Sequence, residues 1–116
     1  MVRAIPPDAM QAEIGAAVAQ LQRLENELSQ QVATALGSYR VASQQVARYE
    51  QEILPKSRET LRIAQETFAL GQIDFLRLLQ SQRTLIEANL AYLSAQESRW
   101  TAAASIAGLL QSEQFP

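Results

Sequence analysis

Few residues in this chain are equipped to make or break bonds. There is no histidine and no cysteine, which excludes imidazole base catalysis, thiolate nucleophiles, thiolate metal sites and disulfides. Serines and threonines are scattered with no base to activate them, and no pair of carboxylates stands apart from faces that read as solvated. Met1 and Met10 are too few and too far apart for a soft-metal site. No glycine loop fit to cradle phosphate and no calcium-loop pattern occurs. The residues predict neither an enzyme nor a cofactor- or metal-binding protein.

What does recur is polar and unreactive. Gln82, Asn89 and Gln96 return every seventh residue. Such a line can fix register and partner number, as single buried amides do in coiled coils, or it can border a water-filled space. Arg83, Glu87, Glu97 and Arg99 read as ordinary solvated charges. Glu25 is the one oddly placed acid, and pairing across an interface suits it better than carrying a proton.

The elements that carry these residues are long. Pro6-Pro7-Asp8 opens the ordered pattern, with two prolines holding the chain extended and Asp8 placed to cap a helix. From there Ile14, Val18, Leu21, Glu25, Leu28, Val32, Ala35, Tyr39, Ala42, Val46, Tyr49 and Ile53 are spaced alternately four and three. A repeat sustained so far predicts a helix whose seam faces other helices in a left-handed supercoil. Gly37 falls inside it and reads as a point of close helix approach. Pro55 interrupts it, because its ring crowds the Gln51 carbonyl at a cost of roughly 3 kcal/mol in a helix interior. A kink or short break is expected there, with helix resuming over Lys56–Leu70. Leu61, Ala64 and Phe68 carry the seam onward.

Gly71 stands where that pattern stops, and glycine most easily takes the left-handed conformation after a helix. Asp74 stands where the next helix begins, as a cap for its free N–H groups. Beyond it Phe75, Leu79, Ile86, Leu93, Trp100, Ala107 and Leu110 share one side. Leu76, Leu90 and Leu78, Leu85, Tyr92, Ile106 flank them. So wide an apolar arc predicts more than one neighbour. The fold class is therefore all-α: one long antiparallel hairpin over 1–116, with arm one about 9–70, a turn at 71–73 and arm two about 74–111. At 1.5 Å per residue the arms measure roughly 90 Å and 55–60 Å. The residues up to about Val32 are thus left without a partner in the chain, and the tail Gln111–Pro116 reads as frayed coil.

Composition agrees. The chain has 116 residues, 47% of them hydrophobic but only 6% aromatic, with four glycines and four prolines. That suits close-packed helices with few turns better than a thick globular core. A net charge of −2 without a basic cluster argues against nucleic acid as a partner. The N-terminus has no signal-peptide apolar core. The uncharged run Trp100–Ser112 is too short to span a bilayer as a helix.

Several residues together resemble a known family. Tyr49, Ile53-Leu54-Pro55, Glu59-Thr60-Leu61, Ala64, Phe68-Ala69-Leu70-Gly71, Ile73-Asp74-Phe75-Leu76, Leu78-Leu79, Gln82-Arg83-Thr84-Leu85, Ala88-Asn89-Leu90 and Tyr92-Leu93 follow one pattern. They resemble the periplasmic hairpin of TolC-type outer-membrane efflux proteins. The closing Trp100…Ile106-Ala107-Gly108-Leu109-Leu110 is similar to the end of its returning helix. The likeness covers about residues 11–112 and is nearest to the heavy-metal branch (CzcC- or CusC-like).

The resemblance implies a passive, non-enzymatic tunnel segment of a homotrimeric conduit topped by an outer-membrane β-barrel. An inner-membrane pump and a periplasmic adaptor (membrane fusion) protein would be its partners. Phe68, Gly71, Ile73 and Asp74 would sit at the periplasmic tip that meets the adaptor. Arg77 and Gln80 would lie near the constriction, where family members more often carry acids. The barrel strands and a second repeat are not in this chain, so it is expected to be a C-terminal fragment of such a protein. A standalone coiled-coil interaction module, or an adaptor-type hairpin, is the alternative.

Overall fold

The computed structural model describes residues 6–114. Helix α1 spans Pro7–Arg48, a π-helical turn follows at Tyr49–Ile53, α2 spans Leu54–Ala69 and α3 spans Phe75–Gln114. Together they form one hairpin 101 × 21 × 20 Å in extent. The all-α hairpin is thus the architecture, with its first arm the longer.

The ends differ from the sequence expectation in detail. Asp8 is not the cap of α1: Pro6, at φ −59° and ψ 141°, holds that place, and Pro7 follows as a first helical residue. Proline's fixed φ favours that position, and its missing N–H costs nothing there. Asp8 lies in the first turn, where its charge complements the helix dipole. At the other end helix persists through Gln114, so the expected frayed coil over 111–114 is helical. Met1 and the last two residues of that tail lie outside the described residues.

The arms meet along a seam of small side chains. On α1 and the π turn, Ala42 and Val46 are buried, and Leu28, Val32, Ala35, Tyr49 and Ile53 are half-buried. On α3 the inner line is Leu78, Ser81, Leu85, Ala88, Tyr92, Ala95, Arg99, Ala102, Ile106 and Leu109, each buried or half-buried. These positions step three and four without a slip. Leu78, Ala88, Ala95 and Ala102, the last three one heptad apart, are its buried members. Methyl-sized side chains let two backbones approach closely, which explains why alanine rather than leucine fills this seam.

This reverses the expected arrangement of α3. Leu79, Ile86, Leu93, Trp100 and Leu110, assigned above as the main apolar side, are exposed, Trp100 at 74%. The expected flank (Leu78, Leu85, Tyr92, Ile106) is the face that the first arm covers, α2 toward the tip and α1 beyond the π turn. Volume decides: a close two-helix contact selects the line with alanines at alternate steps, and the bulkier line is left outside. Arg99, expected to be solvated, takes a half-buried place on the inner line, which its aliphatic stem can fill. Gly37 is not a point of close approach either. A Cβ there would meet no atom within 4 Å, since residue 37 lies behind the seam.

The seam also slips by one residue at Pro55. In phase with Val46, Tyr49 and Ile53, the next seam positions would be Lys56, Thr60 and Ile63, and all three are exposed. The residues that turn inward instead are Leu54, Ser57, Leu61 and Ala64, each one step later. One extra residue has been inserted, and the π turn holds it. The Leu54 N–H reaches back to the Tyr49 carbonyl, one position further than in an α-helix. The expected interruption at Pro55 is thus a bulge, and no coil residue separates α1, the π turn and α2.

Candidate functional site

Two places concentrate the geometry: the tip and the π turn. At the tip, α2 ends by a double hydrogen-bond pattern. The Gly71 N–H donates to the Phe68 carbonyl and the Gln72 N–H to the Thr67 carbonyl, both at 2.9 Å. This pairing satisfies carbonyls left free by the last turn and requires a left-handed residue between. Gly71 supplies it at φ +74°. Asp74 then starts α3, its Oδ1 accepting from the Arg77 N–H at 3.0 Å. The Phe68 and Phe75 rings close the end at 5.9 Å, tilted by 51°.

Replacing Gly71 by valine puts a β-branched residue in a conformation that L-residues avoid, at a cost of roughly 1–2 kcal/mol. No atom lies within 4 Å of the new Cβ, so the loss is one of backbone conformation and not of collision. Gly71→Asn should recover most of it, because asparagine tolerates this region. Urea unfolding followed by circular dichroism ranks the three chains. Equal stability of the glycine and valine forms would show the turn to be unstrained.

The structure distributes the other tip residues over two sides. Ile73, Arg77 and Gln80 line one open groove of about 500 Å³ with Lys56, Thr60 and Thr67. Phe68 pairs with Phe75 instead. Gln82 and Asn89 are exposed. Gln96, the third of that polar line, joins a different cluster.

That cluster ties the π turn to α3. Tyr92 Oη donates to Glu50 Oε1 at 2.5 Å and accepts from Gln96 Nε2 at 2.9 Å. The Tyr49 ring lies 6.5 Å from the Tyr92 ring, tilted by 48°. The hydrogen bond to the Glu50 carboxylate, with burial second, pushes the Tyr92 phenol above its ordinary value. Arg62, by contrast, bonds Glu59 and Glu66 on its own helix, and its hydrogen bond to Glu59 holds that carboxyl below the usual range.

Neither Glu50 nor the two tyrosines stand out in the sequence as a site. A signal was available: Tyr49 lies 22 residues before Gly71 and Tyr92 lies 21 after it, so a hairpin folded at Gly71 must bring them together.

A raised phenol pKa means the neutral hydroxyl is favoured by folding. The stability it contributes is present below the unfolded value of about 10 and is lost as pH rises through the higher folded value. The melting temperature should therefore fall above about pH 10 in the native chain. In Tyr92→Phe the phenol, and with it this share of the alkaline loss, is gone. Identical alkaline profiles would show that the bond to Glu50 adds nothing.

Comparison with protein families, curated proteins and solved structures returned no match to this chain.

Proposed function

We propose that the chain is a structural stave: a helical hairpin that packs beside other hairpins in a passive export conduit and offers its tip to an adaptor protein. The observation that supports this most is the outer face of α3. Leu79, Ile86, Leu90, Leu93 and Trp100 are all exposed, on the side opposite the seam that the first arm already fills. An exposed apolar ridge of this length is a surface for another helix. The resemblance to TolC-type efflux proteins supplies the particular reading: a homotrimeric periplasmic tunnel, with Phe68, Gly71, Ile73 and Asp74 at the adaptor-facing end. Arg77 and Gln80 would lie just inside, and Gln82, Asn89 and Gln96 would be candidates for a polar lining.

The absence of cysteine makes cross-linking the direct test. Leu93→Cys combined with Val41→Cys, both exposed, introduced into the hairpin joined to the second repeat and barrel that the resemblance implies and oxidised in the cell of origin, should give a trimer-sized band that fractionates with the outer membrane. A monomer in the soluble fraction would sink the conduit reading. A standalone interaction module is the second reading, favoured by the exposed seam of α1 before Leu28. It requires that the chain remain outside the membrane fraction and capture a partner there.

A further inference from the structure

The groove beside the tip carries two cations and no acid. Lys56 on α2 and Arg77 on α3 line it together with Thr60, Thr67 and Gln80. Both cations are exposed, and among the described residues neither forms an ion pair. The acids along the same stretch are already engaged. Glu59 and Glu66 bond Arg62, and Glu87 bonds Arg83. Asp74 is occupied in capping α3 at the Arg77 N–H.

The groove's floor is undemanding. The hydroxyls of Thr67, Ser81 and Thr84 donate to carbonyls of their own helices, so covering them strands no donor. Ile63, 48% exposed, adds an apolar patch to the same lining. What the groove leaves unanswered is therefore positive charge at its two ends. Lys56 stands 15 residues before Gly71 and Arg77 six after it. The two are thus about nine residues, or roughly 13 Å, apart along the hairpin. Two carboxylates about two turns apart on one face of a helix, roughly 11 Å, match that spacing once flexible basic side chains reach toward them.

A second copy of the chain is a poor occupant. Its acids one heptad apart are Glu52, Glu59 and Glu66, and Arg48 and Arg62 sit against them. It would bring cations to a groove that already holds two, and like charges oppose pairing.

We propose that this groove docks an acidic amphipathic helix of a partner protein. Two of its carboxylates meet Lys56 and Arg77, and an apolar residue between them covers Ile63. Such a contact gives a chemistry to the tip of the proposed stave, and it rests on that reading for the occupant being a separate protein. Binding is measured on this chain alone, so its failure is distinct from a failure to form the trimer.

Two synthetic helices of about 18 residues are the probes. One has glutamates about two turns apart with a leucine between them on the same face, and the other has glutamines in their place. Fluorescence anisotropy with the full chain at low salt should show the glutamate helix binding at least about tenfold more tightly. Raised salt should weaken it. Lys56→Glu combined with Arg77→Glu should abolish this binding and transfer it to a third helix with lysines at the two sites. Arg58→Glu removes the same charge just over half a turn round α2 from Lys56 and should leave binding intact. Far-UV dichroism checks that the variants stay folded. Equal binding of the first two helices, no binding of either, or binding that survives the double reversal would overturn the proposal. So would equal loss in Arg58→Glu, displacement by inorganic phosphate at constant ionic strength, or self-association of the chain that the double reversal removes.

Discussion

Deleting Glu52 will cost the hairpin about 3 kcal/mol, and replacing Pro55 by alanine in the same chain will return most of it. The seam itself gains from the deletion. With one residue removed, Leu54 takes the place of Ile53, and Ser57, Leu61 and Ala64 follow at steps of three, four and three. The π turn is then no longer needed, and the helix closes to ordinary α-helical bonding. Pro55 thereby becomes a proline inside an α-helix, its ring against the carbonyl four residues back. Pro55→Ala alone should change little, because the extra residue still has to be housed. Urea unfolding of the four chains forms a double-mutant cycle with a large coupling term. A deletion that stabilises the native chain by itself would show that proline does not depend on the bulge.

The second large effect is at Val46, which at 2% exposed is the most buried side chain of the described seam. Val46→Asp places a carboxylate between two helices with no water and no partner, a loss of about 3 kcal/mol or more. In a fold with one seam and no second layer, that is enough to part the arms beyond the π turn. Spin labels at Gln31 and Ser105, which line the same inter-arm groove, should report short distances in the native chain and a broad distribution in the variant. The same change at Leu21, outside the paired seam, should leave stability within about 0.5 kcal/mol. A folded, close-armed Val46→Asp chain would mean the seam is held elsewhere.

The long elements were legible because heptad spacing is a property of one helix alone. The run Leu28 to Ile53 is the seam except at Tyr39, which is exposed, and Gly71 and Asp74 close the turn by local backbone geometry that residue type largely dictates. What periodicity could not supply was the choice between two faces of α3. Both lines, Leu78–Leu85–Tyr92 and Leu79–Ile86–Leu93, are apolar at heptad spacing. Only the contact distance between the arms selects the one interleaved with Ala88, Ala95 and Ala102.

The slip at Pro55 hid for a related reason. From Ile53 to Leu61 is eight residues rather than seven, and the proline drew attention from the count. The cross-arm cluster of Glu50, Tyr92 and Gln96 was invisible until both arms were in register. The roles of Phe68, Gly71, Ile73 and Asp74 at an adaptor, and of Arg77 and Gln80 beside them, belong to the resemblance and rest on the experiments above.

At 21 × 20 Å across, the hairpin has no interior remote from solvent anywhere along its 101 Å length. Its stability is therefore strung out as a series of short, nearly separate contributions, as in a zipper with one closed end. Opening begins at the free ends of the arms, and the contacts beside the covalent turn at Gly71, which separate last, reseal first. Amide hydrogen exchange should accordingly run as a gradient, fastest before Leu28 and slowest between the π turn and the tip. A partner that clasps the open end would slow exchange along the whole molecule, while one that grips the tip would change it only nearby.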